Sequence, residues 1–196
     1  MIKKNTVVFL LLIVMATTAY AAPDRVGKVD VGFNVSGAIP RDGDVDSAAY
    51  VGGSLAYGVQ EWLALGVEAG WAGFGESDAG ISVDENAFPV LGDIIFRIPM
   101  QSDIKPYAIV GLGAIFWSVD TNLSNISADI DTAFAAKFGG GVDWFVNDNW
   151  AVNFEVSYVL SSTDATVKNN TTGASITASG DTDYWMVGGG IKYLFS

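Results

Sequence analysis

Four segments of the chain fall on one pattern: Val51-Gly-Gly-Ser-Leu-Ala-Tyr57, Val90-Leu-Gly-Asp-Ile-Ile-Phe96, Phe138-Gly-Gly-Gly-Val-Asp-Trp144 and Val187-Gly-Gly-Gly-Ile-Lys-Tyr193. Alternate positions collect Val51, Gly53, Leu55 and Tyr57 on one face, and the equivalent apolar and aromatic residues in the other three segments. The opposite face is mostly glycine, alanine and serine, with Asp93, Asp143 and Lys192 among them. Side chains alternate with period two across a strand, so each segment reads as a β-strand with two unlike faces. A helix would mix the two sets and would carry interior glycines at about 1 kcal/mol each.

Four more runs complete the set. Val29, Val31, Phe33 and Val35 alternate with Lys28, Asp30, Gly32 and Asn34; Leu63 to Trp71 and Trp150 to Tyr158 behave alike. The run from Tyr107 to Trp117 is apolar on both faces; its expected register puts Ala108, Val110, Leu112, Ala114 and Phe116 outward. Short turns are expected around Gln60-Glu61, Pro99 to Asp103 and Asn147 to Asn149. Longer polar loops are expected at Ala38 to Ser47, Gly73 to Asn86, Ser118 to Asp131 and Ser161 to Asp183. Eight strands of near membrane-spanning length, with short turns at one end and long loops at the other, point to an all-β, eight-stranded antiparallel up-and-down transmembrane β-barrel.

Alternation alone does not say which face is outside; the charges do. Lys28, Asp30, Glu68, Asp93, Arg97, Lys137, Asp143, Glu155 and Lys192 all share the face of the small residues. A soluble barrel would expose these and bury the tryptophans. A membrane barrel must turn them inward, because one Lys or Arg facing lipid costs ~2–4 kcal/mol at the midplane. Small residues between the charges suit the crowded lumen of eight strands. Aromatic residues gather at strand ends: Tyr57, Phe96, Trp144, Trp150, Tyr193 and Phe195 at the short-turn end, and Trp71, Phe116, Tyr158 and Trp185 at the other. Two aromatic girdles are what a membrane barrel requires.

Composition narrows the function. The 196 residues include no cysteine and no histidine, which excludes a disulfide scaffold, a thiolate nucleophile and the usual imidazole base. With 22 acidic against 10 basic residues, nucleic acid is not an expected partner. Lys3 and Lys4, the apolar run from Val7 to Ala16 and Ala19-Tyr20-Ala21 have the layout of a secretory signal peptide over residues 1–21. The barrel domain is then expected over 22–196, and removing the two lysines leaves 8 basic against 22 acidic residues.

The signal-like start, the Gly-Gly-Gly strands, Val142-Asp-Trp-Phe followed by Asp148-Asn-Trp, and the end Ile191-Lys-Tyr-Leu-Phe195 together resemble the small outer-membrane β-barrel proteins of the OmpA-like, OmpX-like and OmpW-like group. That resemblance implies a Gram-negative outer membrane, contact with its lipids and lipopolysaccharide, and delivery to the barrel-assembly machinery through the C-terminal strand. Ser196 after Phe195 departs from the usual phenylalanine terminus. It further implies a monomer with a structural or surface-interaction role, or a narrow OmpW-like channel for small or apolar solutes. A lipid-modifying enzyme of the group would use histidine, so no enzyme is expected. The anchoring role of full-length OmpA is not expected either.

No cofactor or metal site is expected. Asp42, Asp44 and Asp46 resemble part of a calcium loop but lack its glycine and distal glutamate, and read as an acidic solvated loop. The triple glycines lie mid-strand, with no helix to follow, and are not phosphate cradles. The most informative polar set is the inward charges: Lys28, Asp30, Arg97, Asp143 and Lys192 toward the short turns, and Glu68, Asp93, Lys137 and Glu155 at mid-barrel. Mixed signs in so narrow a lumen are expected to pair. If the signal reading is right, N-terminal sequencing of the membrane-extracted protein reads Ala-Pro-Asp-Arg; a chain still starting at Met1 would refute it.

Overall fold

The computed structural model describes residues 25–41, 47–78, 81–100, 102–121, 126–169 and 175–195. The signal segment and the Asp42, Asp44 and Asp46 loop lie outside these residues. Ten strands follow one another: β1 (Val29–Pro40), β2 (Ala48–Gln60), β3 (Leu63–Asp78), β4 (Ile81–Arg97), β5 (Ile104–Thr121), β6 (Ile126–Ile130), β7 (Ala133–Phe145), β8 (Trp150–Asn169), β9 (Ser175–Asp181) and β10 (Tyr184–Phe195). Eight of them close a barrel in the order β1-β2-β3-β4-β5-β7-β8-β10, every neighbouring pair antiparallel. The last strand returns to the first along its whole length, from Val29 opposite Phe195 to Pro40 opposite Tyr184.

The alternation sets the sides. Val31, Phe33, Leu55, Val67, Val90, Leu112, Phe154 and Ile191 are exposed on the outer face, while Asp30, Ala56, Leu91, Asp93, Lys137, Asp143 and Ser157 are buried inside. Burying one face and exposing the other to an apolar solvent is the inverse of a soluble barrel. On β5 the ambiguous run resolves as expected: Ala108, Val110, Leu112 and Phe116 are exposed, and Tyr107, Ile109, Gly111 and Ile115 are buried.

Two expectations need correction. The stretches 73–86, 118–131 and 161–183 are not simply loops. The β3–β4 ladder continues up to Asp78 opposite Ile81, and β5 follows β4 as far as Thr121. The 20-residue β8 runs well past the barrel and carries β6 on one edge and β9 on the other. A membrane strand needs only about 9–11 residues, so these polar ends stand above the apolar band as two sheet extensions. The polar stretch from Ser162 to Lys168 reads as loop in sequence, although backbone pairing with β9 holds it as strand. The second correction concerns the lumen, which is not lined by small and charged residues alone. Ala38, Ala48, Tyr50, Ala72, Ala87, Leu91, Ile115, Ala133, Ala135, Val159, Tyr184 and Met186 form one buried apolar layer drawn from all eight barrel strands.

Glycines on the inner wall make room for this layer. A Cβ at Gly52 or Gly70 would fall on the Tyr50 ring, and one at Gly141 on the Tyr107 ring. Single-cysteine labels test the sidedness in a chain that has no native cysteine. Labels at Leu112, Phe154 and Ile191 are expected to be quenched from the lipid phase, and labels at Ala151 and Ser157 to be spared. Quenching of the second group alone would invert the barrel.

Candidate functional site

The charged groups of the lumen sit below the apolar layer, toward the short turns. Among them is Lys137 on β7, only 1% exposed. Its Nζ lies 2.6 Å from Glu68 Oε2 on β3, 3.6 Å from Asp93 Oδ1 on β4 and 3.6 Å from Glu155 Oε1 on β8. One ammonium therefore meets three carboxylates from three other strands. Coulomb attraction is strong at these distances away from bulk water, and it offsets the desolvation of an ion that would otherwise be very costly to bury.

The network then descends. Tyr107 on β5 donates its hydroxyl to Glu155 Oε2 at 2.7 Å and accepts from Asn153 Nδ2 at 2.8 Å. Asn153 Nδ2 also lies 3.1 Å from Asp143 Oδ1, which in turn accepts from Lys192 Nζ at 2.8 Å. Lys192 Nζ stands 4.5 Å from the centre of the Tyr107 ring. Across the lumen, Arg97 on β4 pairs with Asp30 on β1. Between the Lys137 cluster and these lower groups, a cavity of about 30 Å³ is lined by Asp30, Glu68, Asp93, Arg97, Glu155 and Lys192 among others. That volume holds about one water.

The structure thus brings together eight of the nine inward charges named from sequence. Lys28 is the exception: it lies just before β1, half-buried, and takes part in no ion pair among the described residues. Four partners escaped the sequence reading: Tyr107, Asn153, Arg25 and Lys105. The first two lie on the inner parity of their strands, a signal open to the same alternation rule. Lys105 shares the parity of Tyr107, and Arg25 precedes the first alternating run altogether.

The aromatic residues form two outer rings. At the short-turn end Tyr57, Phe96, Trp144, Trp150 and Phe195 are exposed, and Trp62 stacks on Phe96 at 6.2 Å. Tyr193 is half-buried, its ring 4.9 Å from Trp150 and 4.6 Å from Phe195. At the other end Trp71, Phe116 and Trp185 are exposed, and Tyr158 is half-buried between Phe138 and Trp185. The Tyr158 hydroxyl donates to Asp183 at 3.0 Å, and the Trp71 indole to Asn86 at 2.9 Å. Aromatic bodies with a polar handle suit a membrane interface.

Above the upper ring, a cavity of about 540 Å³ opens among Asp131, Thr132, Ser162, Thr163, Asp164, Gly180 and Asp181. Its carboxylates do not converge: among the described residues no three acidic groups come close enough to hold a metal ion.

Comparison with known proteins agrees with this geometry. An outer-membrane protein of Sinorhizobium fredii, y4mB, is 26% identical over 92 residues, 46% of this chain and 40% of that protein. The match thus spans less than half the length of that relative. The crystal structure of OprG from Pseudomonas aeruginosa superposes with a TM-score of 0.68 at 16% identity, over 90% of this chain and 99% of that one. The solution structure of Escherichia coli outer membrane protein W gives 0.60 at 19% identity, over 87% and 99%. Both likenesses establish the fold. The model of the outer membrane protein beta-barrel domain matches residues 7–179. The chain belongs to that family and is an integral β-barrel protein of the bacterial outer membrane.

Proposed function

We propose that the barrel is a closed structural element whose long-loop end presents a surface to the exterior, and that its lumen conducts nothing under resting conditions. The observation that carries this reading is Lys137, buried amid Glu68, Asp93 and Glu155 from across the lumen. The apolar layer drawn from all eight strands lies above it and the roughly 30 Å³ cavity below, so neither leaves a path for a hydrated solute. An eight-stranded interior is only wide enough for side chains. The acidic extensions suit divalent-cation bridging to lipopolysaccharide, and the C-terminal strand suits delivery by the assembly machinery. The protein acts as a monomer and not as an enzyme.

A second reading has its own observation. Pairing of β5 with β7 ends at Ile115 opposite Ala133, whereas the ladder of β5 with β4 continues to Thr121. β6, next in the chain, pairs with β8 instead. The start of this break, beside Phe116 in the upper aromatic ring, is where a small apolar solute would leave sideways into the outer edge of the lipid. Reconstituted vesicles discriminate the two readings. Equal entry of an apolar probe with and without the protein supports the structural barrel, and protein-dependent entry supports the side exit.

Lys137 tests the plug directly. Removing one partner of a buried ion pair typically costs 3–5 kcal/mol, so Lys137→Met is expected to lower barrel stability by about that amount. Planar bilayers holding wild type are expected to show no resolvable steps, and those holding the variant a weak cation-selective leak. Heat-modifiable gel mobility and conductance that both match wild type would overturn the ion-paired plug.

A further inference from the structure

The lumen is polarised along its axis. At mid-barrel, three carboxylates surround one ammonium. At the short-turn mouth the balance reverses among the described residues: Arg25, Arg97, Lys105 and Lys192 gather around two buried carboxylates, Asp30 and Asp143, with the exposed Asp103 near Lys105. Asp30 is taken by Arg97, and Asp143 already accepts from Lys192 and Asn153.

Arg25 is left over. The residue is 3% exposed and its one ion pair, with Asp143, is long at 4.0 Å; among the described residues none of its three guanidinium nitrogens has a hydrogen-bond partner. Its guanidinium carbon stands 4.2 Å from the centre of the Phe145 ring. Lys105, 6% exposed, places its Nζ 6.0 Å from the same ring centre and donates to the Met100 carbonyl at 3.3 Å. A buried guanidinium without partners is rare, because each lost hydrogen bond to a charged group is expensive. A guanidinium fork matches an oxyanion in a way that a point charge does not.

We propose that this mouth is a binding site for a small oxyanion, of the phosphate or carboxylate class, held by Arg25 with Lys105 as the second cation over Phe145. The anion supplies the acceptors that Arg25 lacks and offsets the surplus positive charge. This site is independent of whether the lumen above it conducts.

The test uses the mature barrel refolded in a nonionic, phosphate-free detergent. Inorganic phosphate is titrated while ionic strength is held constant with chloride, and unfolding is followed by heat-modifiable gel mobility. A saturable rise in the unfolding midpoint is expected in wild type, as for any ligand that binds only the folded state. Arg25→Gln is expected to abolish the rise, and Lys105→Gln to weaken apparent affinity on the order of tenfold, the loss of one charge-assisted hydrogen bond. An equal rise in Arg25→Gln, or one reproduced by chloride alone, overturns the site. Equilibrium dialysis of wild type against radiolabelled phosphate keeps the proposal falsifiable if the variants fail to fold. About one phosphate per barrel supports it, and none at millimolar phosphate refutes it. A response to short-chain phosphatidylglycerol without any response to free phosphate would assign the site to a lipid headgroup and overturn the free-oxyanion reading.

Discussion

Everything in this barrel depends on the seam between β1 and β10. In hydrocarbon an unpaired backbone N–H or C=O costs several kcal/mol, and a sheet with open edges cannot sit there. The continuous pairing from Val29 opposite Phe195 to Pro40 opposite Tyr184 removes both edges at once. Closure in turn defines an inside, and the inside is what allows ten charged side chains, Arg25 and Lys105 included, to exist within a membrane protein. The outward apolar residues, from Val31 on β1 to Ile191 on β10, supply the complementary lipid surface.

Once the lumen is defined, its contents are arranged by depth. The apolar layer around Leu91, Ile115 and Val159 occupies the long-loop half, where it needs no partners. In the other half, beside a smaller apolar cluster of Ala56, Ala64, Ile95 and Ile109, the polar groups are linked in series from Glu68 through Lys137, Glu155, Tyr107, Asn153 and Asp143 to Lys192. Such a chain ties β3, β7, β8, β5 and β10 together across the lumen, at right angles to the backbone ladders. Satisfied as a set it rigidifies the barrel, and a gap anywhere in it leaves a charge exposed to low dielectric. The mouth around Arg25 is where that satisfaction is least complete.

The short turns and the long extensions answer different demands. Asn147 accepts from the backbone of Asn149 and Trp150 at 3.0 and 2.9 Å, which pins the β7–β8 turn, and the Asn149 side chain donates to Leu194 O at 2.9 Å. That turn therefore also fastens the end of β10. At the other end β8 outlasts its barrel partners and pairs with β6 and β9 instead, so the exterior carries ordered sheet where polar sequence alone suggests loop.

Strand identity, sidedness and the lumen charges were legible in the residues themselves. The period-two alternation of Val51 to Tyr57 or Val187 to Tyr193 admits one backbone, and the placement of Lys137 and Asp143 on its small-residue face admits one solvent for the other face. The even strand count and the alternating connection lengths carried the closure. Two things were decided only by the assembled barrel. Which charges meet depends on strand stagger and on reach across the lumen, so that Lys137 finds Glu68 and Asp93 on strands that do not neighbour its own. The burial of Arg25, which precedes every alternating run, likewise exists only because Asp143 and Phe145 from a distant strand come to stand beside it. Alternation is a local property of one chain segment, whereas charge pairing in a lumen is a property of the ring that the segments close.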